Sequence, residues 1–393
     1  MGIAWLSSAL PIRIIAVIKL APTPVNLKTI LVYCSVVPHD YPPFYRVKFV
    51  RELSQHLNVV FIDLPSGFRL NKITRAPGFY FSVLVSLFRF DHSFVWEFFR
   101  PRRFNYHLLK LYLLFQKIFR GKKIILYTTS GYSDPVYKFI PFEKSIFDCP
   151  DIHSSELEKN KIWISKFNKV FTNTKLITEK IKKYNNRIKT IPSGYMGKTT
   201  FDLSQPKKPN SVLFLGGISQ RLDYDLLERV IYMLPQVRFY FAGEVYLNKF
   251  YTESRDATRL KKWEKILTYP NVYFLGNLSD SKLKLTAPLF KIGLIPYLTK
   301  DTFNYYSNPI KLYDYLANAM FVVSTPLPNV ARFKGSLPVY IAKTPGGFAK
   351  KIHRLLRISD REIFKYKNKI IGLYYRENLE AKVVRVLGEI KQC

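Results

Sequence analysis

From residue 28 onward, short apolar runs rich in Val, Ile, Phe and Tyr alternate with longer segments of helical period, and the alternation starts afresh after the polar, proline-bearing stretch SQPKKPN (204–210). This pattern belongs to α/β folds, in which helices cover a mostly parallel sheet. One restart in 393 residues fits two domains, because a single hydrophobic core rarely serves so long a chain. The chain therefore divides into an apolar N-terminal segment (1–27), a first α/β domain (28–203), a linker (204–210), a second α/β domain (211–359) and a charged helical tail (360–393) that can pack back on either domain.

The expected strands of the first domain are Thr29–Ser35, Asn58–Leu64, Phe94–Phe98, Lys123–Thr128, Ser145–Asp148, Lys169–Thr172 and Ile188–Ile191, with a helix over Tyr45–Leu57. In the second they are Ser211–Leu215, Val237–Ala242, Val272–Leu275, Ile292–Pro296, Phe321–Ser324 and Pro338–Ile341, with helices over Tyr224–Met233 and Asn308–Ala319.

Sixty-two Lys and Arg against 28 Asp and Glu give a net charge of +34, which draws nucleic acid, anionic lipid or a phosphorylated substrate. The basic residues are spread over both halves and no nucleic-acid module is recognisable, so a basic membrane-facing or phosphate-handling surface is the preferred reading. The three cysteines, Cys34, Cys149 and Cys393, are too few and too far apart for a disulfide framework or a zinc site and fit a reducing cytoplasm. Residues 3–21 are apolar but interrupted by Pro11, Arg13 and Lys19, which favours an interfacial helix or an extension outside the core over a spanning helix. The stretch 79–123 joins aromatic-rich runs to the basic clusters RPRR and RGKK. It reads as amphipathic crossover helices flanking a strand, and equally as a helical face lying on a membrane.

The segment SNPIKLYDYLANAMFVVSTP (307–326) carries the clearest chemistry, a capped helix followed by a buried strand. Asn308 or Ser307 suits the cap, Pro309 the first helical position, and Lys311 lies in the first turn. Free N–H groups and the dipole at such a helix start attract phosphate, and a first-turn lysine is unfavourable unless an anion is near. Asp314, three residues on and on the same face, is placed to accept hydrogen bonds from a sugar hydroxyl. The same spacing also suits an ordinary amphipathic helix with a solvated Lys/Asp pair. In FLGGISQRLD (214–223), Gly216 and Gly217 let a backbone approach a diphosphate, and Arg221 can grip it with two hydrogen bonds.

The first of these segments resembles the donor-binding signature of family 4-like glycosyltransferases, in particular the group that includes the teichuronic acid enzymes, where an N-P-x-K-L-x-E-Y-L-A run precedes a V-V-S-T-P strand. Asp314 stands at the family's ribose-binding glutamate, Tyr306 where many relatives carry a second glutamate, and Ala319 and Phe321 where they tend to have Gly and Pro. FLGGISQRLD resembles the family's G-x-x-x-x-R opening strand, and YFAG (240–243) and NVYFLG (271–276) match its next two strand ends, which brings in Gly243, Leu275 and Gly276. In the first domain, SVVPHDYPPFYR (35–46) ends in Arg46, placed like the family's first-helix arginine. SIFDCPDIHSS (145–155) resembles its Y-D-x-x-D segment, VFTNTKL (170–176) its V-x-A-x-S-x-x-L and IPSG (191–194) its I-P-N-G.

The resemblance implies a GT-B architecture, two Rossmann-like domains with a cleft between them and a C-terminal helical tail. It implies transfer of a sugar from a nucleoside-diphosphate sugar to an acceptor hydroxyl, that of a lipid-linked or cell-surface glycan, at the inner face of a membrane that the protein contacts peripherally. Gly216, Gly217, Arg221, Gly243, Leu275, Gly276, Asn308, Pro309, Lys311 and Asp314 then form the donor site. Asp148, Asp151, His153 and Arg46 become catalytic or acceptor-side candidates, with helix capping the plainer role for Asp148. No cofactor and no metal are expected, because helix dipoles and basic side chains can offset the leaving diphosphate, and retention of anomeric configuration is implied. Two other readings stay open: a catalytically degenerate GT-B protein that binds glycans or nucleotides, and a nucleic-acid-associated glycosyltransferase.

Overall fold

The computed structural model describes residues 14–17, 28–35, 45–63, 102–129, 140–149, 151–152, 161–192, 201, 206–246 and 254–392. The chain divides into two compact units, Met1–Pro150 with Ser155–Ile191 and Val383–Cys393, and Asp151–Ser154 with Pro192–Lys382.

In the first unit the described strands are β1 (Ile14–Val17), β2 (Thr29–Ser35), β3 (Asn58–Asp63), β4 (Lys123–Thr128), β5 (Lys144–Cys149), β6 (Lys169–Thr172) and β7 (Ile188–Thr190), joined in one sheet in the order β1-β3-β2-β4-β5-β6-β7. β2 to β7 run parallel, and Ile30 to Cys34 of β2 are all buried, which is why the run reads as continuously apolar. Helix α1 (Tyr45–Leu53) sets Phe49 against Tyr33 and Tyr127, whose rings stack at 5.2 Å. The expected extension of α1 to Leu57 fails because the N–H groups of Gln55 and His56 donate three residues back, to Glu52 and Leu53, and tighten the chain into a turn. Helix α2 (Arg102–Arg120) precedes β4. Cys34 and Cys149 are free and buried, and burial pushes the Cys34 thiol far up.

The N-terminal segment holds a correction. Ile14–Val17 is neither an interfacial helix nor outside the sheet: it pairs antiparallel with β3, Ile14 opposite Ile62 and Val17 opposite Val59. Four β-branched or small residues meet the otherwise unpaired edge of β3, and ladder hydrogen bonds draw this part of the interrupted apolar run into the sheet. The expected strand Phe94–Phe98 lies outside the described residues. Among the described residues no helix is long and apolar enough to cross a membrane.

In the second unit, β8 (Ser211–Leu215), β9 (Arg238–Ala242), β10 (Val272–Gly276), β11 (Ile292–Ile295), β12 (Phe321–Ser324) and β13 (Val339–Ile341) form a fully parallel sheet in the order β10-β9-β8-β11-β12-β13. This is the Rossmann order, 3-2-1-4-5-6 in the unit's own strand sequence. The helices include α3 (Tyr224–Met233), α4 (Thr302–Tyr306), α5 (Ile310–Ala317) and α6 (Pro345–Arg357). Asp223 caps α3 by accepting the Leu226 N–H at 3.0 Å. The tail is shared between units: Ile363, Ile370 and Leu373 join the core of the second, while Glu389 pairs with Lys169 of β6 at 2.9 Å and Lys189 of β7 at 2.5 Å in the first.

Candidate functional site

The second sheet runs outward from β8 through β9 to β10, then resumes on the other side with β11, so the carboxyl ends of β8 and β11 form a topological switch point, where open α/β sheets bind ligands. Only Val212 with Ile292 and Leu213 with Gly293 are paired between these strands. Beyond that, the Tyr315 hydroxyl bridges the opening, accepting the Leu215 N–H at 2.8 Å and donating to the Leu294 carbonyl at 3.0 Å. Its ring fits because residue 293 is glycine: a Cβ there would stand 2.3 Å from the ring.

Two cations converge on this opening. Lys311, in the first turn of α5 and 9% exposed, donates its ammonium to the Tyr297 hydroxyl and lies 4.1 Å from the Phe214 ring centroid and 4.4 Å from that of Tyr297. Arg221 places its guanidinium 4.6 Å from the Tyr297 ring and 4.2 Å from that of Phe303. It is fixed by Nε donating to Asn304 Oδ1 at 2.7 Å and a terminal nitrogen donating to Ser307 Oγ at 3.3 Å. Among the described residues no carboxylate stands within salt-bridge distance of either cation. Burial lowers the Lys311 pKa, against the opposing pull of Tyr297 and the Asp314 charge. Burial alone would raise the Tyr297 phenol, but the charges of Lys311 and Arg221 hold it below its ordinary value.

The glycines explain how the cation comes so close to the backbone. Gly216 follows β8 with φ +122°, and a Cβ on it would stand 2.9 Å from Lys311 Nζ. Gly243, after β9, has φ +154°, and a Cβ there would stand 2.0 Å from the Gly216 carbonyl oxygen. The Gly243 N–H donates to the Gly276 carbonyl at 2.8 Å, so the ends of β8, β9 and β10 are stacked through three of the expected residues. Gly217 is differently placed, with the Tyr246 ring against its Cα. Leu275 is half-buried against the core of this unit.

The helix start corrects one expectation. The cap position of α5 is Pro309 itself, and neither Ser307 nor Asn308 caps with its side chain. Ser307 Oγ is taken up by the Asn304 carbonyl and Arg221, while Asn308 Nδ2 donates to the Tyr313 hydroxyl at 2.8 Å. Asn308 Oδ1 is buried with no hydrogen-bond partner. The helix thus presents an N-terminus without a side-chain cap beside a buried ammonium, with Asp314 half-buried one turn on.

In the first unit, Asp148 is buried near the end of β5 and accepts the Tyr127 hydroxyl at 2.7 Å. Thr129 Oγ1 and Asn173 Oδ1, beyond β4 and β6, are buried without partners. Asp151, which follows β5 in the chain but belongs to the second unit, is half-buried. Arg46 is the second residue of α1, its side chain outside the described residues, as is His153. Sequence reasoning missed Tyr297, Asn304 and Tyr315. Tyr315, third from the end of SNPIKLYDYLA, was legible only as a core aromatic, and Asn304 had no motif to mark it.

Two doubly covered, mostly parallel sheets, one in Rossmann order, define the fold as GT-B. The comparisons with known proteins agree. No family model matches the chain. It is 22% identical over 223 residues to TuaH of Bacillus subtilis, described as a teichuronic acid biosynthesis glycosyltransferase; the match covers 49% of this chain and 53% of TuaH, about half the length of that relative. Among solved structures it is similar to the E. coli trehalose-6-phosphate structure bound with UDP-2-fluoro glucose, with a TM-score of 0.61 and 10% identity over 93% of this chain and 99% of the other. A glycosyltransferase from Rickettsia africae matches with a TM-score of 0.59 and 13% identity, covering 93% and 98%. A mutant of S. aureus TarM in complex with Fondaparinux, alpha-GlcNAc-glycerol and UDP matches with a TM-score of 0.51 and 16% identity, covering 67% and 55%.

Proposed function

We propose that this protein is a glycosyltransferase that moves a sugar from a nucleoside-diphosphate sugar to an acceptor hydroxyl. The observation that carries the proposal is the pair Lys311 and Arg221, converging at a topological switch point with no carboxylate within salt-bridge distance among the described residues. A buried ammonium without a salt-bridge partner is costly, and an anion bound there relieves that cost. Similar folds are described with UDP and a UDP-sugar analogue, and the TuaH likeness points to a glycan acceptor.

In this reading the bond between the anomeric carbon and the phosphate oxygen breaks, the diphosphate leaves with the bonding electron pair, and the acceptor oxygen bonds to the anomeric carbon as its proton passes to the departing phosphate oxygen. Lys311 and Arg221 face the developing negative charge, as does the α5 N-terminus. Lys311 exchanges its hydrogen bond to Tyr297 for one to a phosphate oxygen. Asp314 accepts from the ribose, and Asn308 Oδ1, lacking a partner, accepts a hydroxyl of the donor. The two cations and the helix start supply the charge compensation, so the reaction is metal-independent, and it retains anomeric configuration as the resemblance implies. Asp148, Asp151, His153 and Arg46 belong to the acceptor side. The acceptor is a lipid-linked or cell-surface glycan, reached at the inner face of a membrane by peripheral contact.

A second reading, donor binding without turnover, draws support from the Tyr246 ring against Gly217, which covers part of the glycine turn. Thermal-shift measurements against UDP, GDP, ADP, TDP and their sugars, with Lys311→Ala and Asp314→Ala alongside, test both. Stabilisation by one nucleotide family, lost in both variants, with release of nucleoside diphosphate from its sugar, supports transfer. Stabilisation without release favours the second reading, and stabilisation by duplex DNA but by no nucleotide overturns the donor site.

A further inference from the structure

Over residues 110–120, helix α2 is amphipathic in an unusual sense: its outer face is apolar. Leu113 and Gln116 are buried toward the sheet, while Leu111, Phe115, Ile118 and Phe119 are 63%, 40%, 67% and 73% exposed. These four fall at i, i+4, i+7 and i+8, the spacing of one continuous stripe about 100° wide. Water-facing helix surfaces are ordinarily polar, and contiguous exposed apolar patches mark interaction sites.

The stripe is framed by positive charge. From Lys110 to Lys123 the sequence has five basic residues and no acidic one. The Arg120 guanidinium lies 5.8 Å from the Phe115 ring centroid. Where the helix ends, Lys117, Lys122, Lys123 and Lys144 line a depression of about 440 Å³ together with one acid, Glu143. Glu143 is engaged by Lys117 at 2.7 Å and by the Ile124 N–H at 2.6 Å. A basic last turn suits the helix dipole and accounts for Lys117 and Arg120. It accounts for neither the apolar stripe nor the lysines that follow. The depression also sits at the amino ends of β4 and β5, the opposite edge from the carboxyl ends where open sheets take substrates, so donor or acceptor binding does not explain its charge.

We infer that this face of α2 docks on an anionic lipid bilayer, with Leu111, Phe115, Ile118 and Phe119 among the acyl chains near the headgroups and the lysine-lined depression against lipid phosphates. A helix lying in the interface needs this pairing of an apolar stripe with flanking cations. The inference deepens the peripheral contact of the proposed function by assigning its surface and lipid class. Lipid binding needs neither donor nor acceptor, so its failure is separate from failure of the donor site.

The test is co-sedimentation of the full chain with vesicles of phosphatidylcholine alone or mixed with phosphatidylglycerol. Wild type is compared with Ile118→Ser/Phe119→Ser and with Lys122→Glu/Lys123→Glu, with circular dichroism as the check on folding. Wild type is expected to bind only the anionic vesicles, and each double variant to bind about tenfold less or weaker. Phe119→Trp, which keeps the stripe, should shift its emission to the blue on anionic vesicles. Undiminished binding by the serine variant would mean that bulk charge alone holds the protein, and would overturn the assignment. So would absence of binding, or a dimer in solution that the serine substitutions dissociate.

Discussion

The Lys311 ammonium rests over the Cα of Gly216, so close that a Cβ there would stand 2.9 Å from its nitrogen. Gly216→Ala is therefore expected to displace the lysine from the switch point and to strain a backbone with φ +122°. The strain costs about 1–3 kcal/mol, measurable by urea denaturation. Nucleotide affinity should fall further than stability, by about tenfold or more, since about 1.4 kcal/mol is tenfold. A variant destabilised as predicted but binding nucleotide normally would separate Gly216 from the site.

How far the site was legible in the sequence follows from the same contact. Gly216 and Lys311 each sit in a recognisable local pattern, a strand-to-glycine turn and an N-P-x-K helix start. What brings them together is the register of β8 beside β11, which depends on partners far apart in the chain. Arg221 and Asn304, bonded at 2.7 Å, lie 83 residues apart, and nothing local marks Asn304. The buried strands were legible because both faces are covered, which forces continuous apolar runs. β1 was not, because a four-residue edge strand with one partner leaves no such run.

The pH dependence of the Lys311–Tyr297 pair has a definite sign. Both groups are held below their ordinary values, near pH 10, so the native pair gives up a proton at a pH where the unfolded chain still holds both. In that window the unfolded state binds more protons and the pair's contribution to stability rises with pH, ending once pH passes the ordinary values. The melting temperature of wild type relative to Lys311→Met should accordingly increase from neutral pH toward pH ~10. Nucleotide binding should run the other way, weakening as Lys311 loses its proton. A flat difference between the two proteins would show that the pair does not titrate as described.

Ala319 has φ +51°, the left-handed conformation just past the C-cap of α5, where glycine is the usual residue. Ala319→Gly relieves about 1 kcal/mol of strain but loses a buried methyl worth about 0.8 kcal/mol, so stability should be nearly unchanged. Ala319→Val, branched at a position that disfavours any Cβ, should cost about 2 kcal/mol or more. Chemical denaturation of the two variants measures the contrast; equal costs would remove the conformational explanation.

Glu389 ties the end of the chain to β6 and β7 through Lys169 and Lys189. Burial would raise its carboxyl, but the two lysine hydrogen bonds and charges hold it lower than usual. Its folded pKa being depressed, the stabilisation is present above the ordinary glutamate range and fades as pH falls through the lowered value. Glu389→Gln should cost about 1 kcal/mol at neutral pH and nothing in strong acid, read from melting curves across that range. A cost that persisted in acid would assign Glu389 a packing role instead.

The most direct test of the donor site is titration calorimetry of UDP, GDP, ADP and TDP into wild type and Lys311→Met, which keeps the side-chain length and removes the charge. The structure predicts that wild type binds at least one nucleoside diphosphate and that Lys311→Met, still folded, binds it about tenfold more weakly or not at all. Equal affinity in the two proteins, or no binding of any of the four to wild type, would contradict it.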